Sequence, residues 1–354
     1  MPDTRPGIKF DNNSICYPCI HHEKSKTTDW DKRWKELEIL CDKYRNSNEN
    51  GYDCAIAVSG GKDSHFQTYV MKEKLKMNPL LISVGNIDWT EAGKHNVQNL
   101  SDAFGCDMIT CNPNVNVARI MAKKALEEIG SPGWYPDSLI YSFPVKIAMK
   151  FGIKLLVYGE NVSYTYGGEY DDETPSAKLQ VKNDVVKPVW DIWFRDGQLT
   201  EKDLELAKQP DLKEVEMNNL EPIYLSYFVP WSSYHNYQVA TRWGFRTLEH
   251  EYKVENTIES YQQIDSISYL LNPSLKYLKF GHSIVTDQAS RLIRYGIRTR
   301  EEMIPIVEEK DGKIDSGVVQ KFCEFTRMSI SEFWKTLDKW YNKNLFTQDN
   351  DGVW

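Results

Sequence analysis

Four short apolar runs, each next to a stretch of helical periodicity, constrain the fold of this chain more than any other feature. The runs are 54–58, 80–84, 107–110 and 154–158, and helices are predicted from about 63 and over 91–104, 115–129 and 139–151. A parallel strand needs a crossover connection, usually a helix, to reach its neighbour. The alternation therefore predicts an α/β fold with a twisted parallel sheet. Ligands of such sheets bind beyond the carboxyl ends of the strands, which makes the loops 59–64, 85–90 and 159–168 candidate ligand sites.

The chain on either side of these runs has a different pattern. The first 25 or so residues are predicted to be irregular, and apolar positions from Trp30 to Tyr44 fall on one helical face. After about residue 195 the strand signals fade, and Thr200, Thr299 and Ser329 each begin a pattern typical of a helix N-terminus. The expected organisation is a cysteine-containing segment over 1–28, a sheet domain over 29–195 and a mostly helical substrate or partner region over 196–354.

Charge and composition argue against several classes of protein. The 43 Lys and Arg against 51 Asp and Glu give a net charge of −8, whereas a general nucleic-acid-binding protein carries a basic surface. No stretch approaches the ~18 apolar residues of a membrane span, and the N-terminus lacks the apolar core of a signal peptide. We therefore expect a cytoplasmic protein without a nucleic-acid partner, in which the 7 cysteines form no disulfide framework.

The loop after the first run, Ser-Gly-Gly-Lys-Asp-Ser over 59–64, has the composition of a phosphate site and is called the phosphate loop below. Glycines let backbone N–H groups approach an anion, and the following helix adds the positive end of its dipole. The serine hydroxyls and Lys62 add donors, and Asp63 could hold Mg²⁺. The spacing differs from the Gly-x-x-x-x-Gly-Lys-Ser/Thr loop of kinases and GTPases.

In this strand–turn–helix context, the six residues resemble the pyrophosphate loop of the ATP pyrophosphatases, or PP-loop enzymes. These enzymes split ATP between the α and β phosphates, attach AMP to a carbonyl or carboxylate oxygen, and let nitrogen or sulfur displace it. The resemblance implies a PP-loop domain over 29–195, with a sheet of the adenine nucleotide α-hydrolase type.

Further segments are similar to the N-acetyl sugar amidotransferases, bacterial enzymes that build acetamidino sugars for lipopolysaccharide O-antigen or flagellin-type glycans. The segments are 1–8, 10–19, 158–161, 166–168, 228–231 and 279–281. The resemblance implies that ATP adenylates the acetamido oxygen of an N-acetylated sugar or sugar nucleotide, and that ammonia then displaces AMP. Catalysis of this kind consists mainly of positioning and charge stabilisation.

The same resemblance implies roles for individual residues. Lys62 would neutralise charge as pyrophosphate departs, and Glu160 and Asn161 would face the reacting centre or a metal, with a simple turn as the alternative. The residues expected to hold pyrophosphate and Mg²⁺ are Ser59, Gly60, Gly61, Asp63 and Ser64. Those expected around the rest of the nucleotide are Ala57, Val58, Ser83, Val84, Asn86 and Gly159.

Sugar contacts are expected from aromatic residues near the loops, whose flat faces are common stacking surfaces, although each could instead be structural. The candidates are Trp89, Trp134, Tyr164, Tyr166 and Trp231, with the glycine turn at Gly167 and Gly168. Lys279 and His282 flank a short loop. A basic residue there could meet a sugar carboxylate or a nucleotide phosphate, and a solvated loop fits them equally well.

The chain lacks the sequence signs of a glutaminase of its own. A class II glutaminase needs an N-terminal nucleophile, usually Cys, and position 2 is Pro. A class I glutaminase needs Gly-x-Cys-x-Gly, and Gly105-Cys106-Asp107 lacks the second glycine. The resemblance implies that ammonia comes from a separate glutaminase paired with a cyclase-like barrel subunit.

Cys16-x-x-Cys19 has the spacing of half a tetrahedral zinc site. Many members of the family carry a second Cys-x-x-Cys just ahead of the segment that corresponds to 1–4, where this sequence begins. His21, His22, Cys41 or Cys323 could complete the site, or the two cysteines could be reduced and structural. Zn²⁺ is therefore an open expectation beside ATP and Mg²⁺.

Three alternative functions share the phosphate loop. A PP-loop enzyme that modifies tRNA, by thiolation or lysidine formation, is opposed by the net charge of −8. A nucleotide-binding scaffold without activity is opposed by the intact Lys62 and Asp63. A GMP or NAD synthetase is opposed by the resemblance of the remaining chain to sugar amidotransferases.

Overall fold

A parallel sheet organises the part of the chain that the structure describes. The computed structural model describes residues 1–161, 173–178 and 189–350. Five strands in those ranges form one sheet, and they are β1 (Cys54–Val58), β2 (Pro79–Val84), β3 (Met108–Cys111), β4 (Leu155–Tyr158) and β5 (Glu221–Tyr224). Their order is β3-β2-β1-β4-β5, and every neighbouring pair is parallel. The predicted α/β fold with a parallel sheet is confirmed.

Helices precede the sheet and connect its strands. They are α1 (Tyr17–Ser25), α2 (Trp30–Tyr44), α3 (Lys62–Thr68), α4 (Glu91–Phe104), α5 (Val115–Ile129) and α6 (Trp134–Lys150). Residues Tyr69–Lys74 continue α3 as a π-helix. The helices α4 and α5 have the bounds that the sequence predicts.

The described chain after residue 195 is mostly helical, as expected. Its helices are α7 (Leu212–Met217), α8 (Leu225–Phe228), α9 (Ser233–Arg242), α10 (Ile267–Leu271), α11 (Lys276–Phe280), α12 (Ile284–Arg294), α13 (Arg300–Lys310), α14 (Ser316–Thr326) and α15 (Ile330–Leu337). Short 3₁₀ helices lie at Asp191–Phe194, Glu201–Ala207 and Leu248–His250. Thr299 and Glu302 form the predicted capping box of α13, whereas the box of Thr200 opens a 3₁₀ helix.

The side chains of β1 alternate between two apolar clusters, one on each face of the sheet. Ala55 packs with Met121 of α5 and Leu139 of α6. Ile56 belongs to the opposite cluster, together with Leu37 of α2. Helices therefore cover both faces, which is why the strands read as continuous apolar runs rather than as alternating ones.

The strand order places a ligand crevice beside β1. The register joins Val58 of β1 to Ser83 of β2, and Ile56 of β1 to Val157 of β4. After β1 the chain adds β2 and then β3 on one side of β1. It then crosses to the other side of β1, where it adds β4 and then β5. Such a topological switch point opens a crevice at the carboxyl ends of the two strands.

Three predictions about elements are wrong or incomplete. β5 was not predicted, because the strand signals fade after about residue 195; the strand contains Pro222 and is the last in the strand order, a position where proline is tolerated. Residues 17–25 form α1 rather than an irregular segment, with Pro18 in the first turn. Helix α6 begins at Trp134, ahead of the predicted start at 139, since Pro136 also lies in a first turn.

No helix among the described residues combines the length and the apolar character that crossing a bilayer requires.

Candidate active site

The phosphate loop lies where β1 ends and α3 begins, at the switch point of the sheet. The Ser59 N–H donates to Ser64 Oγ at 2.9 Å, and the Gly61 N–H donates to Ser59 Oγ at 3.3 Å. Gly61 is the N-cap residue of α3. The two serines thus close the loop on itself at the positive end of a helix, which is the setting that anions favour.

Gly60 allows α4 to pack directly on this loop. Its φ is +96°, and a Cβ there would lie 2.8 Å from the backbone N of Val97. Glycine is therefore required at this position both by backbone conformation and by the close approach of α4.

Lys62 and Asp63 form an ion pair, and Asp63 also accepts a hydrogen bond from a residue outside the loop. Lys62 Nζ lies 2.6 Å from Asp63 Oδ2, and the lysine side chain is 4% exposed. Asn236 of α9 donates its Nδ2 to Asp63 Oδ1 at 2.7 Å. Burial raises the pKa of the Asp265 carboxyl to about 7, although Lys62 and Ser59 oppose this effect.

Sequence reasoning missed Asn236 and Asp265. Both belong to the chain after residue 195, and they reach the phosphate loop only through tertiary packing. Nothing in the sequence distinguishes either residue from the other polar residues around it.

The loop after β4 joins the phosphate loop at the crevice. The Ser226 N–H donates to the Gly159 carbonyl at 2.9 Å, and the Asn161 N–H lies 3.3 Å from Ser226 Oγ. A Cβ on Gly159 would lie 2.8 Å from Gln67 Nε2 and 3.0 Å from Trp231 Cη2. The end of β4 is therefore pressed between α3 and Trp231.

Tyr295, which follows α12, links the two loops electrostatically. Burial raises the pKa of its phenol, and the carboxylates of Glu160 and Asp63 raise it further, while Arg294 opposes them. The charges of Glu160 and Asp63 therefore both act on the phenol of Tyr295.

The expected nucleotide residues at the ends of β1 and β2 lie side by side. Val58 is paired with Ser83, and Ala57 with Ile82. Ser83 is fully buried, and its Oγ has no hydrogen-bond partner among the residues that the structure describes. Val84 is buried with β2, and Asn86, half-buried, lies in the loop after it. A buried hydroxyl without a partner at a strand end is typical of a position that a ligand completes.

A cavity of about 300 Å³ opens beside the β4 loop. Asn161, Ser226 and Trp231 line it together with residues of α1, α2 and the end of α12. Its charged lining residues within the described ranges are Lys24, Arg33, Arg294 and Glu173. Lys24 and Arg33 both pair with Glu173, so the lining keeps a positive balance in a chain of net charge −8.

A second cavity, of about 360 Å³, lies within residues 248–284. It is lined by Ile264, the neighbour of Asp265, but not by a residue of the phosphate loop or of the β4 loop. The first cavity is the better candidate for a second substrate, because it reaches Asn161 at the crevice.

The predicted sugar-contacting residues lie in different places. Trp231 lines the first cavity and packs on Phe66 of α3, with ring centroids 5.5 Å apart. Trp89 forms a β-bridge with Ser266, next to Asp265. Trp134 is 2% exposed and packs against tryptophan rings of the core, so its faces are not open to a sugar.

Two further predicted substrate residues, Lys279 and His282, do not line the first cavity. Lys279 donates to the carbonyl of Gly130, and His282 is buried beside the carbonyl of Phe280, so neither lines the first cavity. Tyr164, Tyr166, Gly167 and Gly168 lie outside the described residues.

Cys16 and Cys19 face each other at the start of α1, with 3.4 Å between their Sγ atoms. The hydrogen bond between the two sulfurs lowers the pKa of Cys16 to about 5. The same hydrogen bond raises the pKa of Cys19. Cys41 and Cys323 are buried in separate apolar clusters. The described residues contain no group of three or more His, Cys, Asp or Glu that could hold a metal. They therefore supply half of the predicted zinc site, and zinc stays a prediction.

Comparisons with known proteins match parts of this chain. An uncharacterised protein of Methanocaldococcus jannaschii is 26% identical over 162 residues, which are 46% of this chain and 56% of that protein. The chain thus spans about half the length of this curated relative. A solved structure, the predicted subunit of a tRNA methyltransferase from the same organism, is 14% identical, with a TM-score of 0.29 over 69% of this chain and 87% of that one.

The C-terminal part gives the match that bears on a biological role. Residues 255–354 match the family model described as "LPS biosynthesis protein WbpG-like, C-terminal domain". This range includes Asp265, on whose carboxyl the charge of Lys62 acts. The chain is therefore similar, over residues 255–354, to the C-terminal domain of WbpG-like lipopolysaccharide biosynthesis proteins.

Proposed function

We propose that this chain is an ATP-dependent amidotransferase that converts the acetamido group of an N-acetylated sugar into an acetamidino group for a bacterial surface glycan. The observation that carries the proposal is the phosphate loop at the β1–β4 crevice, beside a cavity of about 300 Å³. That volume is within the usual range for small-molecule sites. The match to a lipopolysaccharide biosynthesis domain supports a role in glycan biosynthesis.

The nucleotide half of the site consists of the phosphate loop and the end of β2. Backbone N–H groups of the loop would bind the β and γ phosphates, and Lys62 would stabilise the charge that develops on departing pyrophosphate. The orphaned hydroxyl of Ser83 and the adjoining Ala57 and Val58 would contact the nucleoside.

The donor set beside Asp63 suits Mg²⁺. Asn236 is fully buried, and its Oδ1 has no hydrogen-bond partner among the described residues, while its Nδ2 binds Asp63. Carboxylate and amide oxygens are ligands of hard divalent cations. When bound, the ion would neutralise negative charge on the phosphates.

The sugar half of the site would be the cavity that Asn161 and Trp231 line. The acetamido oxygen attacks the α phosphorus, and pyrophosphate leaves; ammonia then adds to the imidate carbon, and AMP leaves with the former acetamido oxygen. We assign to Glu160 the proton that the attacking nitrogen loses, because this carboxylate follows β4 and is the neighbour in sequence of Asn161, which lines the first cavity. The ammonia would come from a separate glutaminase with a barrel partner subunit.

The test combines the protein, ATP, Mg²⁺, ammonium and a panel of N-acetylated sugars and sugar nucleotides. Mass spectrometry should show one sugar in which an oxygen has been replaced by NH, with one AMP formed for each amidine. Lys62→Ala should abolish both products, whereas Lys94→Ala, on the exposed face of α4, should change neither. Formation of ADP, or AMP release that tRNA stimulates and no sugar does, would contradict the proposal.

A further inference from the structure

The second cavity, of about 360 Å³, has no part in the proposed function. Its lining spans residues 248–284, so most of it belongs to the range that matches the lipopolysaccharide biosynthesis domain. The volume is within the usual range for small-molecule sites. Among the described residues, its lining shares no member with the phosphate loop or with the first cavity. A ligand here would therefore occupy a place of its own.

Hydrogen bonds hold the walls of this cavity in place. The Leu248 N–H donates to the Ser260 carbonyl at 2.8 Å, which joins two wall segments directly. The Ile258 N–H donates to Gln288 Oε1 at 2.7 Å, and Gln288 is a fully buried residue of α12. The cavity is therefore a preformed feature of the fold, and a ligand would spend little binding energy on ordering its walls.

The phenol of Tyr252 points to a ligand at this place. The ring packs against two apolar clusters, and Lys321 Nζ lies 4.8 Å from its centroid, so the side chain is held on several sides. The phenol oxygen is buried and has no hydrogen-bond partner in the part of the chain that the structure describes. Leaving a buried hydroxyl unpaired costs free energy. Since Tyr252 lines the cavity, a ligand with a hydroxyl group can supply the partner.

The charges of the lining balance one another. Glu259 is 6% exposed, and its carboxylate accepts hydrogen bonds from Tyr261 at 2.8 Å and from Arg291 at 2.9 Å. This carboxylate is therefore already compensated. The other charged lining residues within the described ranges, Glu249 and Lys253, are exposed and opposite in sign. The lining offers no surplus charge to an ion, and it therefore favours a neutral ligand.

The uncharged lining combines apolar and hydrogen-bonding side chains in equal numbers. Within the described ranges, seven of these residues are apolar and seven carry an amide or hydroxyl group. A wholly apolar molecule would strip those polar groups of water without giving them partners. A sugar ring has hydroxyl groups around its edge and C–H groups on its faces, so it suits both kinds of side chain.

We propose that the second cavity binds a neutral saccharide, one hydroxyl group of which pairs with the phenol of Tyr252. The site is separate from the first cavity, which is assigned to the N-acetylated substrate. The inference does not depend on the amidotransferase reaction, because it rests only on the walls, the charge balance and the unpaired phenol of this cavity.

The experiment measures binding of glucose, galactose, mannose, rhamnose, maltose and cellobiose to the full chain by saturation-transfer NMR and calorimetry, without ATP. At least one of these saccharides should bind saturably. Tyr252→Phe removes only the hydroxyl group, so it should weaken this binding at least tenfold while the free chain becomes equally or more stable. Tyr234→Phe, at a tyrosine that is 39% exposed on α9, is the matched control and should bind as wild type does. Absence of binding for the whole panel, or equal binding in Tyr252→Phe, would overturn the proposal.

Two further measurements locate the bound saccharide. Trp231→Ala changes the first cavity and should leave saccharide binding at its wild-type strength. On the unmodified chain, a photoreactive diazirine derivative of the bound saccharide should label peptides within residues 248–284, as mass spectrometry can show. Loss of binding in Trp231→Ala, or labelling confined to the residues of the first cavity, would refute a site in the second cavity.

Discussion

Asn99 of α4 donates its side-chain amide to Nε2 of His65 in α3 at 3.0 Å, and the same nitrogen lies 2.6 Å from the carbonyl oxygen of Trp243. Because Nε2 accepts, the imidazole carries its proton on Nδ1, which donates to the Gly61 carbonyl at 3.1 Å. His65 is fully buried and neutral. It connects the phosphate loop to α4 through one imidazole ring.

This arrangement predicts how stability changes in acid. Burial lowers the pKa of His65 to about 4, although the bond to Gly61 opposes this effect. The unfolded chain takes up the proton near pH ~6.5, so the free energy of unfolding should fall by up to about 3 kcal/mol as the pH drops from there to ~4. Urea titrations of His65→Gln should show a shallower pH dependence in this window. The exposed His250→Gln should keep the wild-type slope, and equal slopes for all three proteins would disprove the prediction.

Gly60→Ala should disable the phosphate loop. The new Cβ would lie 2.8 Å from backbone atoms of Val97, which cannot move without displacing α4. We expect the affinity for ATP, measured by calorimetry, to fall more than tenfold, together with a lower melting temperature.

Gly105→Ala is the matched control for Gly60→Ala. Gly105 also has a positive φ, +57°, but a Cβ there meets nothing within 4 Å. It should cost about 1 kcal/mol of stability and leave ATP binding intact. Similar loss of ATP binding in both variants would show that backbone strain, and not the contact with Val97, is responsible.

Trp231→Ala should weaken binding of the sugar and leave binding of ATP unchanged. Trp231 lines the first cavity and lies against the β4 loop. The KM for the sugar should rise at least tenfold while the KM for ATP stays close to wild type. Trp334→Ala, at a tryptophan that is 42% exposed on α15, should alter neither constant. A rise confined to the KM for ATP would contradict the assignment of the cavity.

Asp287→Asn should destabilise the chain strongly. Its buried carboxylate pairs with Arg5 at 3.0 Å and with Lys276 at 3.1 Å. Burial alone would raise the pKa of Asp287, yet Lys276 and Arg5 outweigh it and lower the pKa. Removing the charge leaves two cations without their partner, which should cost about 3–5 kcal/mol in urea unfolding.

Asp42→Asn provides the comparison for Asp287→Asn. Asp42 is 71% exposed and pairs with Arg45 on the surface of the protein, so its loss should cost less than about 1 kcal/mol. Limited proteolysis should also cut the segment before α1 faster in Asp287→Asn, because Arg5 loses its anchor. Equal stability of the two variants would speak against a buried pair.

The sequence predicted the elements whose local signals agree with their place in the fold. β1 and β2 are apolar runs followed by turn residues, and both are central strands that helices cover on two faces. β5 was missed because it has only four residues, one of them Pro222, in a region where the strand signals fade.

The same division holds for the candidate active site. The phosphate loop is contiguous, so its chemistry can be read from six neighbouring residues. Asn236 and Asp265 are far from the loop in the sequence: Asn236 reaches Asp63 from α9, and the backbone of Asp265 packs on the first turn of α4. Single-sequence patterns carry no information on such encounters.

The position of β5 in the sheet limits where the chain can be truncated. The main chain of β5 pairs with β4 from Leu155↔Glu221 to Tyr158↔Tyr224, although it is encoded well after residue 195. A fragment that ends at residue 195 would lack β5. One flank of β4 would then have unpaired amide and carbonyl groups, which favour pairing with other chains and aggregation. A fragment of residues 1–195 should therefore precipitate when it is expressed alone. It should become soluble when residues 196–354 are co-expressed with it.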